Sequence, residues 1–346
     1  MYTAQPKKLN ILCILEVLNK YSDADHRLSQ KDIIDILKRE YDISVDRKAV
    51  KRNLMDLIEF GCEIEYSEKS RKSKTGEEEL IAYDWYISHT FAESELRLLI
   101  DSLLFSKHIP YSQCKALIEK LKGLSSNYFS SHVKHIQNLP EGLPRNPELL
   151  YTIEILDEAI SKKKQVSFNY TTYGTDKKKH KKAYSDGNII DYVINPYQMV
   201  ATNGRYYLIC NTDKYDDLGN YRVDRINNIK LLDATAKSIK KVKGTENGFD
   251  LPKHMAEHVY MFSGDSIRVT FRAGKTIVDD VIDWFGTDFV IKERKDDKID
   301  VTVKVNEMAM FCWALQYVPF GVEIITPKSL RDKVTNSLSE ALEKYR

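Results

Sequence analysis

Two stretches hold residues whose types and spacing could do chemistry. In Arg47-Lys48-Ala49-Val50-Lys51-Arg52, four cations fall within six residues. Val50, Leu54, Leu57 and Ile58 recur at i, i+4, i+7 and i+8, so the segment reads as a helix whose cations crowd its first two turns, off the buried face. Asp46 is a good N-cap for it, and Gly61 suits the left-handed position that ends it. A positive helix end dressed with cations fits phosphates and base edges in a DNA major groove. The second stretch runs from Asn195 to Ile226 and mixes Tyr206, Tyr207 and Tyr221 with Arg222 and Arg225. Rings stack on bases and guanidinium groups hold phosphates, the pattern that binds single-stranded nucleic acid. Between Ser161 and Ser185, eight lysines, Lys181 and Lys182 among them, face a single acid, Asp176.

Those residues need elements to hold them. Residues 8 to 60 read as three helices. Leu9, Leu12, Leu15 and Leu18 form a stripe in the first, with Ile11 and Ile14 beside it, and Ile33, Ile34 and Leu37 one in the second, which opens on a Ser29/Asp32 capping box. Cys62 to Tyr66 and Leu80 to Ile87 are β-rich and flank a basic tip with Arg71, Lys72 and Lys74. Helix, helix, turn and basic helix, then a hairpin, is a winged helix-turn-helix pattern with duplex DNA as partner. Phe91 to Val133 is helical, and the prolines at 140, 144 and 147 mark a boundary.

Glu148 to Lys162 is an amphipathic helix, with Leu149, Ile153, Leu156 and Ile160 inward, leading into strand Gln165 to Tyr170. Tyr197 to Ala201 and Arg205 to Cys210 form a hairpin about Asn203-Gly204, whose turn positions need positive φ. Tyr221 to Ile226 reads as a third strand, with Arg222 and Asp224 on one face and Tyr221, Val223 and Arg225 on the other. Arg222 is therefore favoured over Arg225 as a ligand cation, Arg225 joining it only across a bulge or bend.

Gly204-Arg205-Tyr206-Tyr207-Leu208 followed by Tyr221-Arg222-Val223-Asp224-Arg225-Ile226 resembles the core of the WYL-domain family, and Asn195-Pro196-Tyr197 resembles its proline segment. Tyr206 stands where the family tripeptide has Trp, and Tyr192 where many members carry Arg. Val45 to Leu54 is similar to the recognition helix of WYL regulators, with Ala49 for a frequent Thr. The resemblance implies a small Sm-like β-barrel and a transcriptional regulator sensing a nucleic-acid or nucleotide-like ligand. From Ile267 to Tyr345 the order βαββαβ plus one helix is ferredoxin-like and resembles the C-terminal extension that follows WYL domains. Trp284 and Trp313 are expected in its core.

The fold class is thus α+β and multidomain. Residues 1–88 form the DNA reader, 89–146 a helical linker, 147–235 the ligand-sensing domain, 236–264 a connector and 265–346 a WCX-type domain. Net charge is only +2, so nucleic-acid affinity must come from local patches. No apolar run approaches a membrane span and MYTAQPKK lacks a signal-peptide shape, so a cytoplasmic location is expected. The five cysteines include no C-x-x-C pair. His132 with His135, and His254 with His258, fall at helical spacings, but neither pair has the residues to complete a metal site. With no nucleotide-loop or nucleophile motif, no catalytic residue, metal or cofactor is expected. The partners read from sequence are an operator duplex, a single-stranded nucleic acid or nucleotide effector, and a second copy in a homodimer. The competing readings are an RNA-binding accessory protein and, further off, a nuclease.

Overall fold

The computed structural model describes residues 9–72, 78–106, 109–129 and 146–346. It is a mixed α/β chain that divides into two compact units, Met1–Leu143 and Pro144–Arg346. The boundary expected from the prolines at 140 and 144, Lys74 of the basic tip, and the pair His132/His135 lie outside the described residues.

The first unit begins with α1 (Asn10–Tyr21), α2 (Gln30–Tyr41) and α3 (Arg47–Phe60), followed by the antiparallel hairpin β1 (Ile64–Lys72) and β2 (Glu78–Ile87). Ser29 and Asp32 form the reciprocal capping box, each side chain bonded to the other's backbone N–H. Asp46 accepts from Ala49 N at 2.8 Å, and Gly61 closes α3 at φ 104°. Ile14, Leu18, Ile33, Leu37, Val50, Leu54 and Trp85 make one core beneath the three helices and the hairpin.

The leucine stripe of α1 is not the buried one. Ile14, Val17 and Leu18 are buried, while Leu12 is 58% exposed. A three-residue repeat falls back about 60° per step on a helix of 3.6 residues per turn, so Leu12 and Leu18 cannot share a face. α4 (Glu93–Phe105) and α5 (Tyr111–Lys122) follow and pack through Leu96, Ile100 and Phe129.

The second unit opens with α6 (Leu149–Lys162), running directly into β3 (Lys164–Tyr173). Leu149, Thr152, Leu156 and Ala159 are its buried residues, so the inward face is rotated from the expected one and Ile153 and Ile160 lie half-buried at its rim. β4 (Lys179–Lys181), β5 (Asp191–Thr202), β6 (Arg205–Asn211), β7 (Gly219–Arg222) and β8 (Ile226–Thr235) complete the first sheet. Its order is β4-β3-β5-β6-β7, with β8 returning to pair with β3. The β5–β6 turn has both Asn203 (φ 51°) and Gly204 (φ 70°) in the left-handed region, as the Asn-Gly pair predicts. The expected strand from Tyr221 to Ile226 is interrupted. β7 stops at Arg222, and Val223–Arg225 form a 3-10 turn before β8 begins.

A short helix, α7 (Leu251–Glu257), lies in the connector. The last part is β9 (Ser266–Gly274), α8 (Val278–Phe285), β10 (Val290–Glu293), β11 (Lys298–Asn306), α9 (Glu307–Tyr317), β12 (Glu323–Thr326) and α10 (Lys328–Lys344). Its sheet is antiparallel in the order β10-β11-β9-β12. Val269, Phe271, Val301, Val303 and Ile324 point from one face into a core completed by Val281, Phe285 and the fully buried Trp313. Trp284 packs at its edge and donates from Nε1 to the Tyr317 hydroxyl at 3.1 Å. Asn306 caps α9 through Ala309 N.

Candidate nucleic-acid interface and effector site

In the first unit, the buried stripe of α3 leaves Arg47, Lys48, Lys51 and Arg52 exposed on the opposite side of the helix. None of the four forms an ion pair with another described residue, so their charge is available to an outside anion. Arg71 and Lys72 are exposed at the far end of β1. The basic end of α3 and the basic end of the hairpin thus belong to elements packed on one core.

In the second unit the 3-10 turn creates a cationic corner. Arg222 donates from Nε and Nη2 to the two oxygens of Asp224, at 3.0 and 2.8 Å. Lys179, on β4, donates to the Asp224 carbonyl at 3.0 Å. Nε of Arg225 is buried with no hydrogen-bond partner among the described residues. Three cations surround one carboxylate, leaving two positive charges uncompensated. Burial alone would raise the Asp224 carboxyl, but the Arg222 hydrogen bonds and the charges of Arg222, Lys179 and Arg225 outweigh it and hold the group below the usual range. Lys179 is pushed down by burial, with Arg222 and Arg225 adding to that effect. A half-buried ammonium made less basic by burial gains from an arriving anion.

Beside this corner stands a group of rings. Tyr170, Tyr192 and Tyr221 surround Phe168, with centroid separations from 5.1 to 6.4 Å, mostly edge to face. The Tyr170 hydroxyl accepts from Arg222 N at 3.1 Å, tying the rings to the corner. Lys182 lies 5.6 Å from the centre of the Tyr170 ring, within cation–π range.

The residues chosen from sequence are thus placed unequally. Tyr207 is buried with Val200, Ile209 and Met261, and in register opposite Arg222. Tyr206 is partly exposed and faces Ala201 across the hairpin. Lys181 pairs with Thr171 and is exposed, while Lys182 is bonded through its backbone to Tyr170. Arg222, favoured from sequence as the ligand cation, is held by Asp224, while Arg225, beyond the turn, keeps an unpartnered Nε among the described residues. Lys179 and Tyr170 were not selected from sequence. Nothing in the run Lys177-Lys178-Lys179 marks the last as the one that turns inward. Tyr192, read as a departure from the family pattern, is one of the cluster's rings.

Residues 151–231 match the family model of the WYL domain, and residues 265–342 match that of the WCX domain. The chain thus carries a WYL domain and, behind it, a WCX domain. The cationic corner and the tyrosine cluster both lie within the WYL match. No curated protein matches the sequence. Among solved structures it is similar to proteasome accessory factor B/C (PafBC) of Arthrobacter aurescens, at 16% identity and a TM-score of 0.29, over 99% of this chain and 51% of that one. The chain therefore spans about half the length of that protein.

Between the two domains, the rings of His254 and His258 stack at 4.1 Å. Burial, then the neighbouring His258, pushes His254 down to about 4. Among the described residues no group of three or more His, Cys, Asp or Glu side chains is placed to hold a metal ion. No helix among them is long and apolar enough to cross a membrane.

Proposed function

We propose that the chain is a sequence-specific DNA-binding transcriptional regulator whose WYL domain senses a nucleotide or a short single-stranded nucleic acid. The first unit acts as a winged helix-turn-helix reader, with Arg47, Lys48, Lys51 and Arg52 at base edges and phosphates, and Arg71, Lys72 and Lys74 in the wing. The WYL domain is an Sm-like barrel, and the WCX domain, with a ferredoxin-like strand order, serves as a dimerisation module. The working form is a cytoplasmic homodimer on an inverted repeat. The division read from sequence, with a linker at 89–146 and a connector at 236–264, belongs to this reading.

The observation that carries the sensing role is the corner of Lys179, Arg222 and Arg225 around Asp224, beside the rings of Tyr170, Tyr192 and Tyr221. Cations for phosphate next to faces for bases are what a single strand or nucleotide requires. Tyr206, Tyr207, Lys181 and Lys182 border or support that site. The DNA-reading role rests on the exposed cations at the start of α3.

The test is selection of genomic duplex fragments by the purified chain, followed by titration of the best fragment with and without single-stranded oligonucleotides. The expected result is a preferred duplex bound roughly a thousandfold or more above competitor DNA, with an affinity that the oligonucleotide changes. Duplex binding without sequence preference would remove the regulator reading.

A further inference from the structure

In the WCX domain a cavity of about 450 Å³ lies between the start of α8 and the end of α9, lined by Thr276, Ile277, Asp280, Gln316, Tyr317 and Phe320. That volume suits a small ligand or one inserted side chain. Its walls are aromatic. The Tyr317 and Phe320 rings stand 5.9 Å apart at 54°, and Tyr317 is backed by Trp313 at 4.5 Å. Phe320 is 73% exposed, at the end of a 3-10 turn (Val318–Phe320) that Gly321 closes at φ 85°.

The lining's one charge is negative, and among the described residues it includes no lysine, arginine or histidine. Asp280 is exposed, and its Oδ1 accepts from the Tyr317 hydroxyl at 2.9 Å; that hydroxyl accepts in turn from Trp284 Nε1 at 3.1 Å. Burial, then the bond to Asp280, pushes the Tyr317 hydroxyl up, so it stays a donor and orients the carboxylate. Asp280 forms no ion pair with another described residue. Lys275, next to Thr276 in the chain, is taken by Glu293 and Asp297. The remaining polar groups are the Thr276 hydroxyl and the Gln316 amide, whose oxygen accepts from the Tyr260 hydroxyl at 3.2 Å.

We propose that this cavity binds an organic cation, the guanidinium of an arginine side chain or an alkylammonium group. An anion would meet the Asp280 charge, and an apolar ligand would strip that carboxylate of water without replacing it. A cation satisfies both parts of the wall, because the face of an aromatic ring is negative like the carboxylate. A guanidinium fits closely, since its plane stacks on a ring while its edge bonds to the acid. The site lies in the WCX domain, apart from the cationic corner, and stands whether or not the effector reading holds.

The experiment uses the full chain labelled with nitrogen-15 and follows the indole N–H signals of its three tryptophans, that of Trp284 being assigned with Trp284→Phe. The Trp284 N–H is bonded to the hydroxyl that holds Asp280, so it reports on the cavity. N-acetyl-arginine amide at low salt should shift this signal saturably, and N-acetyl-glutamine amide, uncharged, should not. Asp280→Asn, which can still accept from Tyr317, should weaken the binding roughly tenfold. Phe320→Ala, at an exposed position where the fold loses little, should weaken it about two- to fivefold. Spermidine is the second probe. Tighter binding of the arginine amide assigns the site to a side chain of a protein partner, and tighter binding of spermidine assigns it to a free polyamine. A shift that rises without saturating, an equal shift with the glutamine amide, or unchanged binding in either variant overturns the proposal.

Discussion

Arg222 holds both carboxylate oxygens of Asp224 from two residues away, with Nε and Nη2 at 3.0 and 2.8 Å. A planar guanidinium matched to a carboxylate is the strong form of such a bond. Here it does more than fasten a turn, because among the described residues Asp224 is the acid that stands with Lys179, Arg222 and Arg225 in the corner. Replacing Asp224 with Ala should cost roughly 2–3 kcal/mol of stability, since it leaves a half-buried guanidinium without its partner. The same change should strengthen binding of single-stranded nucleic acid, because three cations then face the ligand unopposed. Urea unfolding and oligonucleotide titration of the same variant check both halves. A variant that is destabilised yet binds no more tightly would mean the corner does not meet the phosphates.

Asp300 gives a pH prediction in the WCX domain. It accepts from Arg272 Nε at 2.8 Å and from Arg294 Nε at 2.6 Å. Those two hydrogen bonds hold its carboxyl down at about 2. A carboxyl lower in the folded chain than in the unfolded one stabilises the fold above its unfolded value, near 4, and the benefit fades as pH falls towards 2. Arg272 and Arg294 are partly exposed, so solvent screens the pair and the contribution is modest. Asp300→Asn should flatten the stability-against-pH curve between about pH 4 and pH 2. Unfolding midpoints that fall as steeply in the variant as in the wild type would reject this assignment.

Duplex DNA separates the cations of the first unit by role. Arg47→Ala should cost about 1–3 kcal/mol and relax specificity at one base pair if its guanidinium reads a base edge. Lys72→Ala should weaken all sequences alike and lower the salt slope by about one. The operator should be an inverted repeat with half-sites one helical turn, or a multiple of it, apart. Wild-type operator affinity in a Lys48/Lys51/Arg52 triple alanine variant would show that α3 is not the reader.

The sequence was most legible where local rules act alone. The capping box at Ser29, the Asp46 cap, the Asn203-Gly204 turn and the alternation of the last seven elements all follow from neighbours within a few residues. It was less legible where the tertiary fold chooses among equivalent residues. Periodicity admitted the Leu9–Leu18 stripe with Ile11 and Ile14 beside it, and of these packing buried Ile14 and Leu18, with Val17 added. Strand propensity carried Tyr221 through Ile226 unbroken, whereas closing β8 back onto β3 required a tight turn at Val223–Arg225. That turn sets which arginine meets Asp224, and no spacing rule predicts it. Lys179 is the same case, since β4 registers it against Tyr173 only once the sheet has formed.

The last prediction concerns the coupling of the two units. Residues 9–129 contain two apolar clusters of their own, one under α1 to α3 and the hairpin, the other between α4, α5 and Phe129. The WYL site lies wholly in the second unit, Pro144–Arg346. A ligand there changes DNA affinity only if it binds one arrangement of the DNA readers better than another, and the resulting coupling is the same seen from either site. A fragment of residues 1–143 should therefore fold and bind the operator, more weakly than the full chain if dimerisation depends on the WCX domain. It should lose all response to oligonucleotide. In the full chain, operator DNA should shift oligonucleotide affinity by the same factor by which the oligonucleotide shifts operator affinity. Circular dichroism of the fragment and the two reciprocal titrations test this directly. A fragment that still responds to oligonucleotide would place the sensor in the first unit, and unequal coupling factors would mean that the two titrations do not report one shared equilibrium.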